Sequence, residues 1–122
     1  MSNHPIVHVE IPAASRLEAS DFYHKVFGWE ATQHPEMNYA TFRAEGGPGG
    51  GFSPTAGEQA AEVGRVMVFI GTDDIESSLA SIQANGGSTV LPKTEIPGVG
   101  WFAIFRDPTG NQLALYTDGG MR

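Results

Sequence analysis

Apolar and polar residues alternate over Val7-His8-Val9-Glu10-Ile11. This pattern predicts a β-strand with Val7, Val9 and Ile11 on one face and His8 and Glu10 on the other. Pro12 ends it. The period then becomes helical: Ala19, Phe22, Tyr23, Val26 and Phe27 recur on one apolar face up to about residue 27. Ser15-Arg16-Leu17-Glu18 fits a capping box ahead of that helix, and Gly28 is the expected stop. Strands are predicted at about 29–34, 37–45 and 50–55. The last two are separated by the turn Glu45-Gly46-Gly47-Pro48-Gly49-Gly50. Gly49, Gly50 and Gly51 supply no side chains, so the third strand rests on little local signal.

The same order then returns. Val66-Met67-Val68-Phe69-Ile70 matches the first strand 59 positions on, and Phe102-Ala103-Ile104-Phe105-Arg106 matches Tyr39-Ala40-Thr41-Phe42-Arg43 63 positions on. Asp73-Asp74-Ile75-Glu76 resembles a second capping box. The helix that follows uses Ile75, Leu79 and Ile82, and Gly86 stops it. Strands are predicted at about 88–94, 100–106 and 112–117. The first two are joined by a hairpin over Glu95 to Gly100, the last two by the turn Asp107-Pro108-Thr109-Gly110. Each half is thus strand, helix and three strands. The chain reads as a single domain over residues 1–122, with repeat one at about 5–55, a linker at about 54–64 and repeat two at about 65–118.

Composition narrows the function. With 122 residues the chain can build one shared core. No run of 18 apolar residues predicts a membrane span, and the polar start MSNHPIVHVE lacks the layout of a secretory signal. Zero cysteines exclude disulfides, thiolate chemistry and Cys-ligated metal, and suit a reducing cytoplasm. A net charge of −7, with only 7 Lys and Arg residues and no basic cluster, argues against nucleic acid as partner. It permits a cationic ligand. Sixteen glycines and eight prolines suit short strands and turns.

Two βαβββ units in one short chain resemble the vicinal oxygen chelate superfamily of glyoxalase I, bleomycin-resistance proteins and extradiol dioxygenases. The wording of Val7-His8-Val9-Glu10-Ile11-Pro12, of Asp21-Phe22-Tyr23 leading to Val26-Phe27-Gly28-Trp29-Glu30, of Pro92 to Ala103 and of Asp107-Pro108-Thr109-Gly110-Asn111 is similar to its uncharacterised glyoxalase-like branch. The resemblance implies an α+β fold in which two βαβββ repeats curl into a cup-shaped sheet, and a homodimer. Its metalloenzymes carry ligands on the first and last strand of each repeat. By resemblance those positions here hold His8, Gly51, Met67 and Ala114, a set with one nitrogen donor. No cofactor is therefore predicted. The alternative is a divalent metal held by His8, Glu10 and Gln112, which needs a two-residue slip on the last strand.

His8 and Glu10 are the candidate catalytic pair: an imidazole and a carboxylate on one strand face can share acid and base roles. Their structural alternatives are a buried, satisfied histidine and a glutamate paired with Arg43 or Arg106. Met67, Phe69, Phe102, Ile104, Ala114 and Tyr116 are expected to wall an apolar ligand site, with space left by Gly49, Gly50, Gly51 and Ala114. Arg43 is a candidate for an anionic group of the ligand, or else closes its strand end on Glu45 as Arg106 does on Asp107. Trp101 is assigned to the helix side with Ala103 and Phe105. The stretch Gly46 to Gly51 reads as a mobile rim able to act as a lid, and His4, His24 and His34 carry no functional mark.

The leading expectation is a metal-independent small-molecule protein that binds or modestly transforms an apolar or aromatic metabolite. One alternative is a metal-dependent lyase, isomerase or dioxygenase of the same superfamily. The other is a non-catalytic dimer that sequesters a drug or serves a structural role.

Overall fold

A computed structural model describes residues 4–57 and 60–118. Residues 58 and 59 of the expected linker lie outside the described residues, as do the first three residues and the last four. The chain separates into two compact units, one of residues 8–67 and one of residues 68–118 together with the segment that enters the first strand.

The first unit is built from β1 (Ile6–Pro12), α1 (Arg16–Phe27), β2 (Glu30–His34), β3 (Tyr39–Arg43) and β4 (Gly49–Ser53). Its strands lie in the order β2-β3-β4-β1. β1 pairs with β4 in parallel, and β4-β3-β2 is antiparallel. The parallel step needs a crossover, which α1, β2 and β3 supply. Ser15 caps α1 as its sequence predicts, its hydroxyl accepting from the Glu18 N–H at 3.1 Å. Gly28 closes the helix with φ 78°, a conformation that favours glycine. Pro35–Met37 forms a single 3-10 turn, so β3 begins at Tyr39 and is shorter than expected.

The helix face predicted for α1 is narrower in the structure. Ala19 and Tyr23 pack on a buried group of Ala40, Phe42 and Phe52, joined by Ile11 and Trp29. Phe22, Val26 and Phe27 are each more than half exposed. The reason is the aromatic stack below the helix. Tyr23 lies 4.9 Å from Trp29 and 5.5 Å from Phe52, and Trp29 lies 4.5 Å from Phe42, so one line of helix residues covers the sheet. Arg16 ties the start of the helix to β2, donating to Gln33 at 2.7 Å while Gln33 donates to Ser20 at 2.9 Å.

The glycine run is a strand, which corrects the expectation of a mobile rim with space beside it. In β4, Gly50 and Gly51 are buried. A β-carbon on Gly50 would overlap the Val9 carbonyl and the Phe42 ring, and one on Gly51 would overlap the Tyr39 phenol. The missing side chains let β4 lie close between β1 and β3, and neighbouring rings fill the room. The turn is confined to Ala44–Gly47, with the Gly47 N–H donating to the Ala44 carbonyl at 3.1 Å.

The second unit repeats the plan with β5 (Met67–Gly71), α2 (Ile75–Ala84), β6 (Ser88–Ile96), β7 (Gly100–Arg106) and β8 (Gln112–Asp118), in the order β5-β8-β7-β6. β5 pairs with β8 in parallel and the other pairs are antiparallel. The helix cap is Asp74, accepting from the Ser77 N–H at 3.1 Å, not the expected Asp73. The caps of the two helices are therefore 59 positions apart, the same spacing as the two first strands. At that spacing Tyr23 corresponds to Ile82, and each packs on the core of its own unit. Ile75 and Leu79 are buried against Ala103, Phe105 and Leu115, with Trp101 partly buried beside them. Gly86 follows the helix at φ 97°, as a stop requires. The β6–β7 register shifts around Leu91 to Thr94, where Pro92 has no N–H to give the ladder.

Candidate functional site

The face of the first unit opposite α1 carries a polar cluster. His8 and Glu10 are two residues apart on β1 and share that face. His8 Nε2 lies 2.5 Å from Glu10 Oε2. The Tyr39 hydroxyl donates to the same oxygen at 2.5 Å and lies 3.3 Å from His8 Nε2. The Ser53 hydroxyl donates to Glu10 Oε1. Three strands thus converge on one carboxylate. Glu10 stands beside Gly51 and Gly51 beside Thr41 in register, so the bare position on β4 lets the Tyr39 ring lean over toward β1. His34 stacks on the Tyr39 ring at 6.2 Å and meets the Thr41 hydroxyl at 3.2 Å, holding the ring from β2.

The electrostatics follow from this wiring. Burial raises the Glu10 carboxyl toward neutrality, but hydrogen bonds from His8, Ser53 and Tyr39, with the charge of His8, outweigh it and leave the pKa below the ordinary value. Tyr39 is pushed the other way, by burial and by the neighbouring Glu10 charge, and stays a neutral donor. The folded state therefore prefers the Glu10 anion more strongly than the unfolded chain does. Its contribution to stability is present above the usual glutamate range and is lost as pH falls through the lowered folded value. Acid unfolding followed by circular dichroism is expected to show a steeper loss of melting temperature below pH 5 in the wild type than in Glu10→Gln. Parallel curves would mean that this carboxylate does not drive the acid transition.

The sequence-predicted candidates fall into separate groups. His8 and Glu10 meet as the alternation implied. Glu10 is paired with His8, Tyr39 and Ser53 and not with Arg43 or Arg106. Arg43 ends β3, exposed and opposite Glu30 in register, and no ion pair with Glu45 is formed. Asp107 does not pair with Arg106. It accepts from Thr109 and Asn111 N–H groups at 2.9 Å each and closes its own turn. In the second unit Phe69 stands opposite Ala114, Ala114 opposite Ile104, and Phe102 opposite Tyr116, on the sheet face away from α2. Phe69 and Phe102 rings are 6.5 Å apart. Tyr116 donates to the Val99 carbonyl at 3.4 Å. Ala114 is fully buried, Met67 opens β5 and Gln112 opens β8. Tyr39, Ser53, Thr41 and His34 were not marked by sequence as site residues. The parity of Tyr39 and Thr41 with Arg43 was the one available signal, and it did not say which strand lay beside them.

A divalent metal fits these residues poorly. Of the four positions implied by resemblance, Gly51 and Ala114 carry no donor and Met67 offers only a thioether. His8 Nε2 faces Glu10, and both Glu10 oxygens are taken by hydroxyl donors. Among the described residues no group of three or more His, Cys, Asp or Glu side chains converges on a point. No described helix is long and apolar enough to cross a membrane.

Comparison with known proteins places this arrangement in context. The profile of the Glyoxalase/Bleomycin resistance protein/Dioxygenase superfamily matches residues 5–115. The chain is 26% identical to an anthracycline biosynthesis protein, DnrV, of Streptomyces peucetius over 84% of its own length, and spans 43% of that relative. It is 29% identical to a glyoxylase-like domain-containing protein of Didymella fabae, with 92% of each chain covered. A hypothetical protein of Bacillus halodurans has a similar solved structure, with TM-score 0.75 at 14% identity, covering 99% of both chains.

Proposed function

The chain belongs to the Glyoxalase/Bleomycin resistance protein/Dioxygenase superfamily, and on that premise we propose that it binds a small apolar or aromatic organic molecule without a metal. His8 makes the directional hydrogen bond to that molecule or moves a proton on it, and Glu10 orients His8. The observation that carries this reading is the His8–Glu10 contact of 2.5 Å inside a shell of hydroxyl donors. A carboxylate held by three donors in this way serves to orient an imidazole. Within the second unit taken by itself, Phe69, Phe102 and Ile104 form an apolar sheet face, the kind of surface that small organic molecules bind. The relative named for anthracycline biosynthesis supports a small organic molecule as the ligand class.

The protein acts as a homodimer in this reading. The exposed Phe22, Val26 and Phe27 of α1 support it, since apolar side chains of this size gain by being covered. The absence of cysteine suits a cytoplasmic setting.

The test joins metal analysis of purified protein to thermal-shift screening with aromatic and apolar metabolites. A hit raises the melting temperature, by the equivalent of about 2.7 kcal/mol at a hundredfold excess over its dissociation constant. His8→Ala is expected to weaken that hit about fivefold, the worth of one net hydrogen bond of roughly 1 kcal/mol. Stoichiometric Zn, Ni, Fe or Mn that disappears in His8→Ala overturns the reading. A broad library with no hit favours a purely structural dimer.

A further inference from the structure

We infer that Tyr39 and Ser53 are positioning residues that fix the tautomer of His8: by each donating a hydrogen bond to Glu10 they hold it as an ionised, acceptor-only carboxylate, so the His8 ring carries its proton on Nε2 and its lone pair on Nδ1. The inference deepens the proposed role of His8 and rests on that reading for its functional meaning, though not for its test.

The argument is an accounting of hydrogens. An ionised carboxylate can only accept. Glu10 Oε1 takes the Ser53 hydroxyl and Oε2 takes the Tyr39 hydroxyl. The third contact, His8 Nε2 to Oε2 at 2.5 Å, joins two atoms that would both be acceptors if the nitrogen were bare. One hydrogen must sit between them. With two hydroxyl donors already aimed at the carboxylate, the charge stays on Glu10 and the hydrogen stays on nitrogen. In the neutral ring Nδ1 then holds the lone pair.

The two hydroxyls are themselves placed by the fold. Tyr39 reaches Glu10 only because Gly51 leaves its phenol room, and His34 backs its ring. Ser53 is buried at the end of β4, in register with Pro12 of β1. Neither residue needs to touch a ligand to act, because each works through Glu10 on His8.

Long-range proton–nitrogen correlation NMR on ligand-free protein labelled with 15N-histidine tests this directly. The chain has four histidines, so the His8 signals are those that vanish in His8→Gln. At pH 9 the wild type is expected to show a protonated-type Nε2, a bare-type Nδ1 and a downfield, slowly exchanging Nε2–H resonance. Tyr39→Phe and Ser53→Ala, made separately and checked by dispersed backbone amide spectra, are each expected to lose that resonance and to move both His8 nitrogen shifts toward tautomer averages. Gly51→Ala, which fills the place of the Tyr39 phenol, is expected to copy Tyr39→Phe. A His8 proton on Nδ1 in the wild type overturns the inference, and so do His8 shifts that stay fixed in folded Tyr39→Phe and Ser53→Ala. Because no ligand is used, failure here is separate from failure of the ligand screen.

Discussion

Phe52→Ala is expected to cost about 3–5 kcal/mol of unfolding free energy, the usual range for truncating a core phenylalanine. Phe52 is 1% exposed and lies under α1 at 5.0 Å from Phe42 and 5.5 Å from Tyr23. Removing the ring leaves a cavity that two other aromatics border, and stacked rings collapse into such a space poorly. The damage should also reach the polar cluster. Ser53 is the next residue on the same strand and points to the opposite face, where it donates to Glu10. Urea denaturation measures the first effect and the His8 ring signals report the second. A loss under about 1 kcal/mol would place Phe52 outside the core, against the range expected for buried aromatic truncation.

Gly50→Ala is expected to destabilise by about 1–3 kcal/mol or more, the cost of overpacking where the neighbour is backbone and cannot turn away. The added β-carbon would meet the Val9 carbonyl, with Phe42 carbon atoms 2.6 and 2.9 Å away. Val9 and Gly50 are register partners, so relief requires β1 and β4 to move apart. That movement carries His8 and Glu10 away from Tyr39. Gly47→Ala is the control, because nothing lies within 4 Å of a β-carbon there. The contrast in melting temperature between the two variants is the measurement. Equal effects would mean that the close approach of β1 and β4 is not what the glycine run is for.

Much of the scaffold could be read from local pattern. The alternation over Val7 to Ile11, the Ser15 cap, the Gly28 stop and the matching second set of signals each fix backbone geometry through neighbours in the chain. Short-range chemistry was also where small errors arose. Asp73 and Asp74 are both able to cap, and only the path of the chain out of β5 selects Asp74. The predicted apolar face of α1 was too wide, because periodicity counts apolar residues without knowing how wide the surface beneath the helix is.

The glycine run illustrates the harder limit. Gly49-Gly50-Gly51 has the composition of a flexible loop, yet it is a buried central strand. Its side-chain positions are occupied by Phe42 and Tyr39 from β3, and a sequence read along the chain does not say which strand lies alongside. Tyr39 was invisible as a partner of Glu10 for the same reason. Twenty-nine positions separate them in the chain, and the hydroxyl crosses over a strand that offers no side chain of its own.

The duplicated βαβββ plan, the ends of the first helix and the shared strand face of His8 and Glu10 were legible along the chain, because each depends on spacing within a few residues. The tertiary structure alone decided that Tyr39 and Ser53 close on Glu10, and that Arg43 and Arg106 do not. Those outcomes depend on strand order and register, which bring distant residues within hydrogen-bond reach and which no local pattern encodes.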